Sequence, residues 1–183
     1  RSSRPDKWAQ PRPYRDASQR YMTHGAVLPM EEPETRLTLE VPAGLVSVTA
    51  NCRNGSVTQV TLENVPSFVT RLDARLDVPG LGTISVDTAF GGDSFVVVNA
   101  ADVGVDIHPD NAREIVELGI RITNAANEQM QFEHPHHPDW THHSFCLFND
   151  PLVREGNQIT STSTVAIQPG KLDRSPCGTG QSA

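Results

Sequence analysis

The segment at residues 171–183 holds the residue types best suited to chemistry, centred on Cys177. Strand-like residues precede this cysteine, and the small residues Gly178, Thr179 and Gly180 follow it, so we expect a loop that delivers the thiol to the start of a helix. The first backbone N–H groups of a helix have no carbonyl partner and can hold a carboxylate. The same helix start should lower the pKa of the thiol and favour a thiolate. A structural cysteine in a glycine-rich turn explains the segment equally well.

A second unusual segment places five histidines within ten residues: His134, His136, His137, His142 and His143. Clustered imidazoles are typical ligands of zinc and nickel. Pro135 and Pro138, however, prevent the helical spacing that would place two imidazoles on one face. We therefore interpret the segment as a polar loop and predict no metal site.

Composition limits the class of protein. The chain has 183 residues and a formal net charge of −7, and no apolar run approaches the roughly 20 residues that span a bilayer. Residues 1–22 form a basic leader, which we expect to be irregular and not a nucleic-acid arm, because phosphate binding conflicts with an acidic body. Three cysteines are too few for a disulfide framework and indicate a reducing compartment. We expect a cytoplasmic protein without nucleic-acid or membrane partners.

The elements that must position these residues are mainly strands. Alternating or continuous apolar residues predict strands at 35–41, 45–50, 57–63, 83–88, 95–98 and 144–148, and within 159–167. The Asn54-Gly55 pair predicts a tight hairpin between two of them. Apolar residues recurring every three or four positions predict one helix over 109–127, with Pro109 at its first position. This pattern indicates a mixed α/β or α+β fold.

The sequence DRSPCGTGQSA at 173–183 resembles the second catalytic-cysteine motif of the proline racemase family. That family includes hydroxyproline 2-epimerases and trans-3-hydroxyproline dehydratases, and the cysteine loop is also similar, more distantly, to that of diaminopimelate epimerase. Further matching stretches are VPAGLV at 41–46, NVPSFV at 64–69, VPGLGTISVDTAFGGDSFVVVNA at 78–100, ANEQ at 126–129 and PGKLDRSPCGTG at 169–180. The resemblance covers about residues 24–183.

The resemblance implies a diaminopimelate-epimerase-like fold of two similar α/β halves, each a curved sheet around a central helix. It implies no pyridoxal phosphate and no metal: one cysteine removes the α-proton of an imino acid, and a second cysteine protonates the opposite face. Cys177 would be one of these two acid/base groups. Gly178 and Thr179 would bind the substrate carboxylate, Asp173 would hold the substrate ammonium, and His142 would face the substrate.

The resemblance also implies a division of the chain. Residues 23–82 would be part of the first half, and residues 83–183 part of the second half, ending at the cysteine loop, so we expect an incomplete fold. The family's first motif, of the type Cys-Gly-His, falls near residues 10–12, where the sequence has neither a cysteine nor a Gly-His pair. The sequence does not decide whether this chain alone is active. It is compatible with a homodimer but does not determine the oligomeric state.

The leading functional hypothesis is a cofactor-independent epimerase or racemase of 4-hydroxyproline or proline, acting in hydroxyproline or proline metabolism. One alternative is a trans-3-hydroxy-L-proline dehydratase, whose elimination needs a base on one face only. The other alternative is a non-catalytic, truncated relative. Asp93 is interpreted either as a turn cap or as a residue near the pocket, and Phe90 and Phe95 are interpreted as core in preference to a wall against an imino-acid ring.

Overall fold

A computed structural model describes residues 29–183, which form a mixed α/β structure in two compact units. The described part of the first unit is 29–65, and the second unit is 66–183. The predicted basic leader at 1–22 lies outside the described residues. Within 29–183, no helix is both long enough and apolar enough to cross a membrane.

The first unit is a three-stranded antiparallel sheet of β1 (Glu34–Val41), β2 (Gly44–Arg53) and β3 (Ser56–Glu63). The predicted hairpin at Asn54-Gly55 is confirmed, and both residues have positive φ, 52° and 69°, as this type of tight turn requires. Alternate side chains of β2 are buried, and they include Cys52. This cysteine therefore has the environment of a structural thiol.

The second unit contains a six-stranded sheet. Its strands, in chain order, are β4 (Phe68–Val78), β5 (Gly82–Phe90), β6 (Ser94–Asn99), β7 (Phe145–Asn149), β10 (Ser163–Ile167) and β11 (Lys171–Leu172). In space they follow the order β11-β10-β7-β6-β5-β4, and only the β6–β7 pair is parallel. A small separate hairpin, β8 (Val153–Glu155) and β9 (Gln158–Thr160), lies between β7 and β10 in the chain.

The crossover between the parallel strands contains the long helix α1 (Ala112–Gln129), which a short 3-10 turn precedes. Its buried residues join those of one sheet face in the main core, which includes Val96 and Val98 of β6. Successive side chains of a strand point to opposite faces. Phe95 and Val97 accordingly belong to a second cluster on the other face of the sheet, and that cluster includes Cys177. The sheet thus separates α1 from the cysteine loop.

The structure confirms the predicted strands and the long helix, with two differences. The strands β4, β8 and β11 are not among the sequence predictions, and the predicted stretch 159–167 divides between β9 and β10. The predicted boundary between residues 82 and 83 falls inside β5, which pairs with β4 in one sheet, whereas the compact units divide after Val65.

Candidate active site

Cys177 immediately precedes the short helix α2 (Gly178–Ser182) and has a left-handed backbone, with φ 55° and ψ 85°. This conformation is uncommon for a residue other than glycine, so neighbouring groups must hold it. The Cys177 N–H donates a hydrogen bond to the Ser175 hydroxyl at 3.0 Å, and the Cys177 carbonyl accepts one from the Gln181 N–H at 2.8 Å. The backbone on both sides of the thiol is therefore fixed.

Asp173 connects this loop to the sheet. Its N–H donates to the carbonyl of Val165 on β10 at 2.9 Å, and its carboxylate accepts a hydrogen bond from the Ser175 N–H at 2.9 Å. Ser175 in turn accepts from Cys177, so two local hydrogen bonds link the carboxylate to the cysteine backbone. The sequence therefore places Asp173 and Cys177 at one site through a short hydrogen-bonded turn.

The Cys177 thiol is half-buried and packs on the apolar cluster of Phe95, Leu147 and Val165. This burial raises the pKa of the thiol above its ordinary value. The Gly180 N–H and the Thr179 hydroxyl oppose the increase in pKa, and the charge and hydrogen bond of the Asp173 carboxylate add to it. The predicted lowering of the pKa is wrong, because burial outweighs the hydrogen bonds from Gly180 and Thr179. The group is a protonated thiol at neutral pH and can donate a proton.

The residues predicted to bind a carboxylate, Gly178 and Thr179, occupy the first two positions of α2. Their N–H groups have no carbonyl partner within the helix. Gly178 is exposed, Thr179 is partly buried, and the Thr179 hydroxyl lies 3.8 Å from the Cys177 sulfur. The structure thus brings the first two amides of α2, a thiol and the Asp173 carboxylate together. Their roles toward a substrate stay predictions.

The turn between β5 and β6 lies against α2. The Gly91 N–H donates to the Asp93 carbonyl at 3.0 Å, and the Asp93 carboxylate accepts from the Ser94 N–H at 2.8 Å, so Asp93 acts as a turn residue. Gly91 touches the backbone of α2 at Thr179. Sequence reasoning overlooked Gly91 and Ser175, although the paired glycines between two predicted strands were a visible signal for a close backbone approach.

His142 lies on a different loop from Cys177. Its imidazole is exposed and stacks near Trp140, with ring centroids 6.3 Å apart, and its carbonyl accepts a hydrogen bond from the Ser94 hydroxyl at 2.8 Å. Trp140 also donates to this hydroxyl, at 3.0 Å. Ser94 therefore connects the histidine loop to the β5–β6 turn. The predicted contact of His142 with a substrate stays a prediction.

His143, next in the chain, is 2% exposed, and neither ring nitrogen makes a hydrogen bond of ordinary geometry. Its backbone is held on both sides by the Asn127 amide of α1, at 2.7 Å and 2.9 Å. Burial lowers the pKa of His143, although the nearby Met130 carbonyl opposes this, and the charges of Arg71 and His142 lower it further. The imidazole is therefore neutral at neutral pH, and its place is in the core.

The other three histidines of the cluster, His134, His136 and His137, lie in the polar loop that the sequence predicts. The His134 ring accepts hydrogen bonds from the N–H groups of His136 and His137, each at 3.1 Å. Burial lowers the pKa of His134, and the charges of His137 and His136 lower it further. Across residues 29–183, no three or more His, Cys, Asp or Glu side chains are grouped as ligands of a metal ion.

Two phenylalanines flank the β5–β6 turn. Phe90 is buried in an aromatic cluster, with ring centroids 4.5 Å from His134 and 5.2 Å from Trp140. Phe95 is fully buried in the cluster beside Cys177. Both residues are core, as predicted, and both stiffen the turn that contacts α2.

A family model described as proline racemase matches residues 17–183. The chain belongs to the proline racemase family. Two solved structures give the same fold over 91% of this chain, each with a TM-score of 0.80. One is a probable proline racemase from Agrobacterium radiobacter K84 with bound carbonate, 36% identical in sequence. The other is a hydroxyproline epimerase from Agrobacterium vitis with bound trans-4-hydroxy-L-proline, 38% identical.

The chain spans about half the length of these solved relatives, 47% and 46%. Residues 10–12, where the first cysteine motif of the proline racemase family is expected, lie outside the described residues. Cys146 is completely buried on β7, and burial strongly raises the pKa of its thiol. Of the three cysteines, only Cys177 has a partly exposed sulfur next to unpaired helix amides.

Proposed function

We propose that Cys177 is an acid/base group for α-proton transfer in a cofactor-independent racemase or epimerase of proline or 4-hydroxyproline. The observation that supports this most is the single loop that holds the thiol, the Asp173 carboxylate and the first amides of α2. Membership of the proline racemase family supports the same reaction class.

The loop suits each part of such a substrate. The N–H groups of Gly178 and Thr179 would bind the substrate carboxylate, which stabilises negative charge that develops at the α-carbon. The Asp173 carboxylate would hold the substrate ammonium. The apolar side chains beneath Cys177 keep water from one side of the sulfur.

The raised pKa of Cys177 favours the role of proton donor in one direction of the reaction. A base on the opposite face breaks the α-carbon–hydrogen bond, and the Cys177 thiol gives its proton to the carbon, which inverts the centre. In the reverse direction the Cys177 thiolate accepts the α-proton. Each direction removes one proton from the α-carbon and delivers one to it, so the two acid/base groups exchange protonation states and the reaction needs no oxidant or reductant.

The choice of 4-hydroxyproline is supported by the relative from Agrobacterium vitis, which was solved with trans-4-hydroxy-L-proline. Dehydration of trans-3-hydroxy-L-proline is the second candidate, because it requires only one base, and Cys177 is the only cysteine that the described residues bring to the site. In that reaction the α-hydrogen leaves as a proton and the 3-hydroxyl leaves as hydroxide, which together make up the one water lost.

The proposal includes the two-half architecture that the resemblance implies, to which both units of this chain would contribute. It also includes a cytoplasmic location, a small-molecule substrate, and no nucleic-acid or membrane partner.

One assay separates the candidates. The protein is incubated with L-proline, trans-4-hydroxy-L-proline and trans-3-hydroxy-L-proline, and the products are resolved by chiral chromatography. Inversion of proline or 4-hydroxyproline supports the proposal. Consumption of only the 3-hydroxy isomer, to a ring-unsaturated product, favours the dehydratase. Failure with all three, in a folded sample, favours the non-catalytic relative.

A further inference from the structure

Gly91, in the turn between β5 and β6, lies against the backbone of α2. A Cβ atom built on Gly91 would overlap the carbonyl oxygen of Thr179 and the nitrogen of Ala183, and would lie 2.7 Å from the carbonyl carbon of Ser182. All three atoms are backbone atoms, so no side-chain rotation relieves the overlap. Either α2 or the turn would have to move.

The requirement at Gly91 is one of space alone. Its neighbour Gly92 has φ +102°, a conformation that side chains rarely adopt, whereas Gly91 lies outside the positive-φ region. The two adjacent glycines therefore have different functions. Gly92 allows the chain to turn, and Gly91 allows α2 to approach it.

A second glycine determines how closely α2 approaches the sheet. A Cβ atom at Gly180 would lie 3.0 Å from the Leu147 side chain of β7 and 3.0 Å from the Cys177 sulfur. The helix thus rests on the sheet through Gly180 and against the turn through Gly91. Because Cys177 directly precedes this helix, these contacts also fix the thiol and the amides of the first turn.

We propose that Gly91 is the positioning residue of the cysteine loop: the absence of a side chain there sets the distance between the β5–β6 turn and α2, and with it the place of the Cys177 thiol and the Gly178 and Thr179 amides. The effect of Gly91 on catalysis rests on the function proposed above, whereas its effect on the position of the thiol is independent of that function.

The test compares Gly91→Ala with Gly170→Ala. Gly170 is the matched control, because a Cβ there meets nothing within 4 Å and its φ is not positive. Alkylation of Cys177 by iodoacetamide is followed by mass spectrometry against pH, and the buried Cys52 and Cys146 serve as internal references. We expect the profile of Gly91→Ala to shift away from that of the wild type, and the profile of Gly170→Ala to match the wild type.

The catalytic readout is the rate of substrate inversion. A displacement of roughly 1 Å at reacting atoms costs about 100-fold in rate, so we expect kcat of Gly91→Ala to fall by about that factor while KM changes less. A shifted alkylation profile in a protein whose wild type is inactive would support the positioning and refute the proposed function. An unchanged profile together with an unchanged kcat would overturn the positioning.

If Gly91→Ala does not fold, the close approach of Gly91 to α2 can still be tested by NMR on the wild type. The contact predicts nuclear Overhauser effects between the α-protons of Gly91 and the amide proton of Ala183. Observing them supports the close approach. Their absence, in a spectrum where both residues are assigned, overturns it.

Discussion

Gly119 lies within α1, at a point where the helix packs closely against the sheet. A Cβ atom at this position would overlap the Ala166 Cβ of β10, and would lie 3.0 Å from the Phe148 ring and 3.5 Å from the Cys146 Cβ of β7. These three residues are buried, and none of the contacting atoms is the end of a long flexible side chain. In Gly119→Ala, the helix and the sheet must therefore separate.

Two effects of opposite sign determine the stability of this variant. Alanine stabilises a helix interior by about 1 kcal/mol relative to glycine. Overpacking of a well-packed core costs about 1–3 kcal/mol, and the upper end applies because the Ala166 Cβ is fixed to its backbone. We expect Gly119→Ala to lower the free energy of unfolding by about 2 kcal/mol.

The assay is urea denaturation followed by circular dichroism, with Ala166→Gly as the reciprocal variant. Removing the Ala166 Cβ makes room for the new one, so the double variant should be more stable than additive effects predict, by about 1 kcal/mol or more. A Gly119→Ala protein as stable as the wild type would refute the reasoning, as would strict additivity in the double variant.

Three further predictions concern the site and its surroundings. Asp173→Asn removes a charge that raises the pKa of the Cys177 thiol, so alkylation of Cys177 should begin at lower pH. Asp139→Asn, an exposed control, should leave the pH profile of alkylation unchanged. A profile of Asp173→Asn identical to that of the wild type would contradict this role of Asp173. Ser175→Ala removes the hydroxyl that accepts the hydrogen bond of the Cys177 N–H, and this variant should reduce the rate of substrate inversion. Ser175→Thr keeps a hydroxyl and should restore the rate. Equal rates in the wild type and both variants would exclude a positioning role for Ser175. His143 has a lowered pKa when folded, so the unfolded chain binds more protons below about pH 6.5, and stability should fall as the pH falls through that range, by at most about 1.4 kcal/mol per pH unit. Unfolding midpoints measured at several pH values test this. His143→Leu should reduce the slope, and the lowered pKa of His134 should leave a remaining dependence of the same sign. An identical slope in both proteins would contradict the role of His143.

Apolar alternation predicted strands such as β2 and β5, in which buried and exposed residues alternate along much of the strand. The longest strand that the sequence analysis missed, β4, alternates from Leu72 to Val78, but its pairing with β5 shifts register near Arg71 and Ala74, and many of its side chains are exposed. Arg71, Asp73 and Arg75 occupy exposed positions of this alternation, which was therefore a visible signal for the strand. The irregular pairing is a long-range property that local sequence does not encode.

The sequence predicted where the cysteine loop and the helix start lie, but it did not predict the direction of the pKa shift of the Cys177 thiol. The strand-like residues before Cys177 and the small residues after it correctly indicated a loop that leads into the start of a helix. The direction of the thiol pKa depends on Phe95, Leu147 and Val165, which come from three strands. Gly91 likewise meets α2 only in the folded chain, almost ninety residues away in sequence.

The central claim is that Cys177 moves the α-proton of a proline-type substrate. The most direct measurement is the exchange of that proton in D₂O, followed by NMR with both enantiomers of proline and with trans-4-hydroxy-L-proline. We predict exchange in the wild type and in Cys52→Ala, a control at a buried cysteine. In Cys177→Ser we predict no inversion and no exchange for the enantiomer whose α-proton faces Cys177. Exchange of both proline enantiomers that persists in Cys177→Ser, or a folded wild type that exchanges no substrate, would contradict the account.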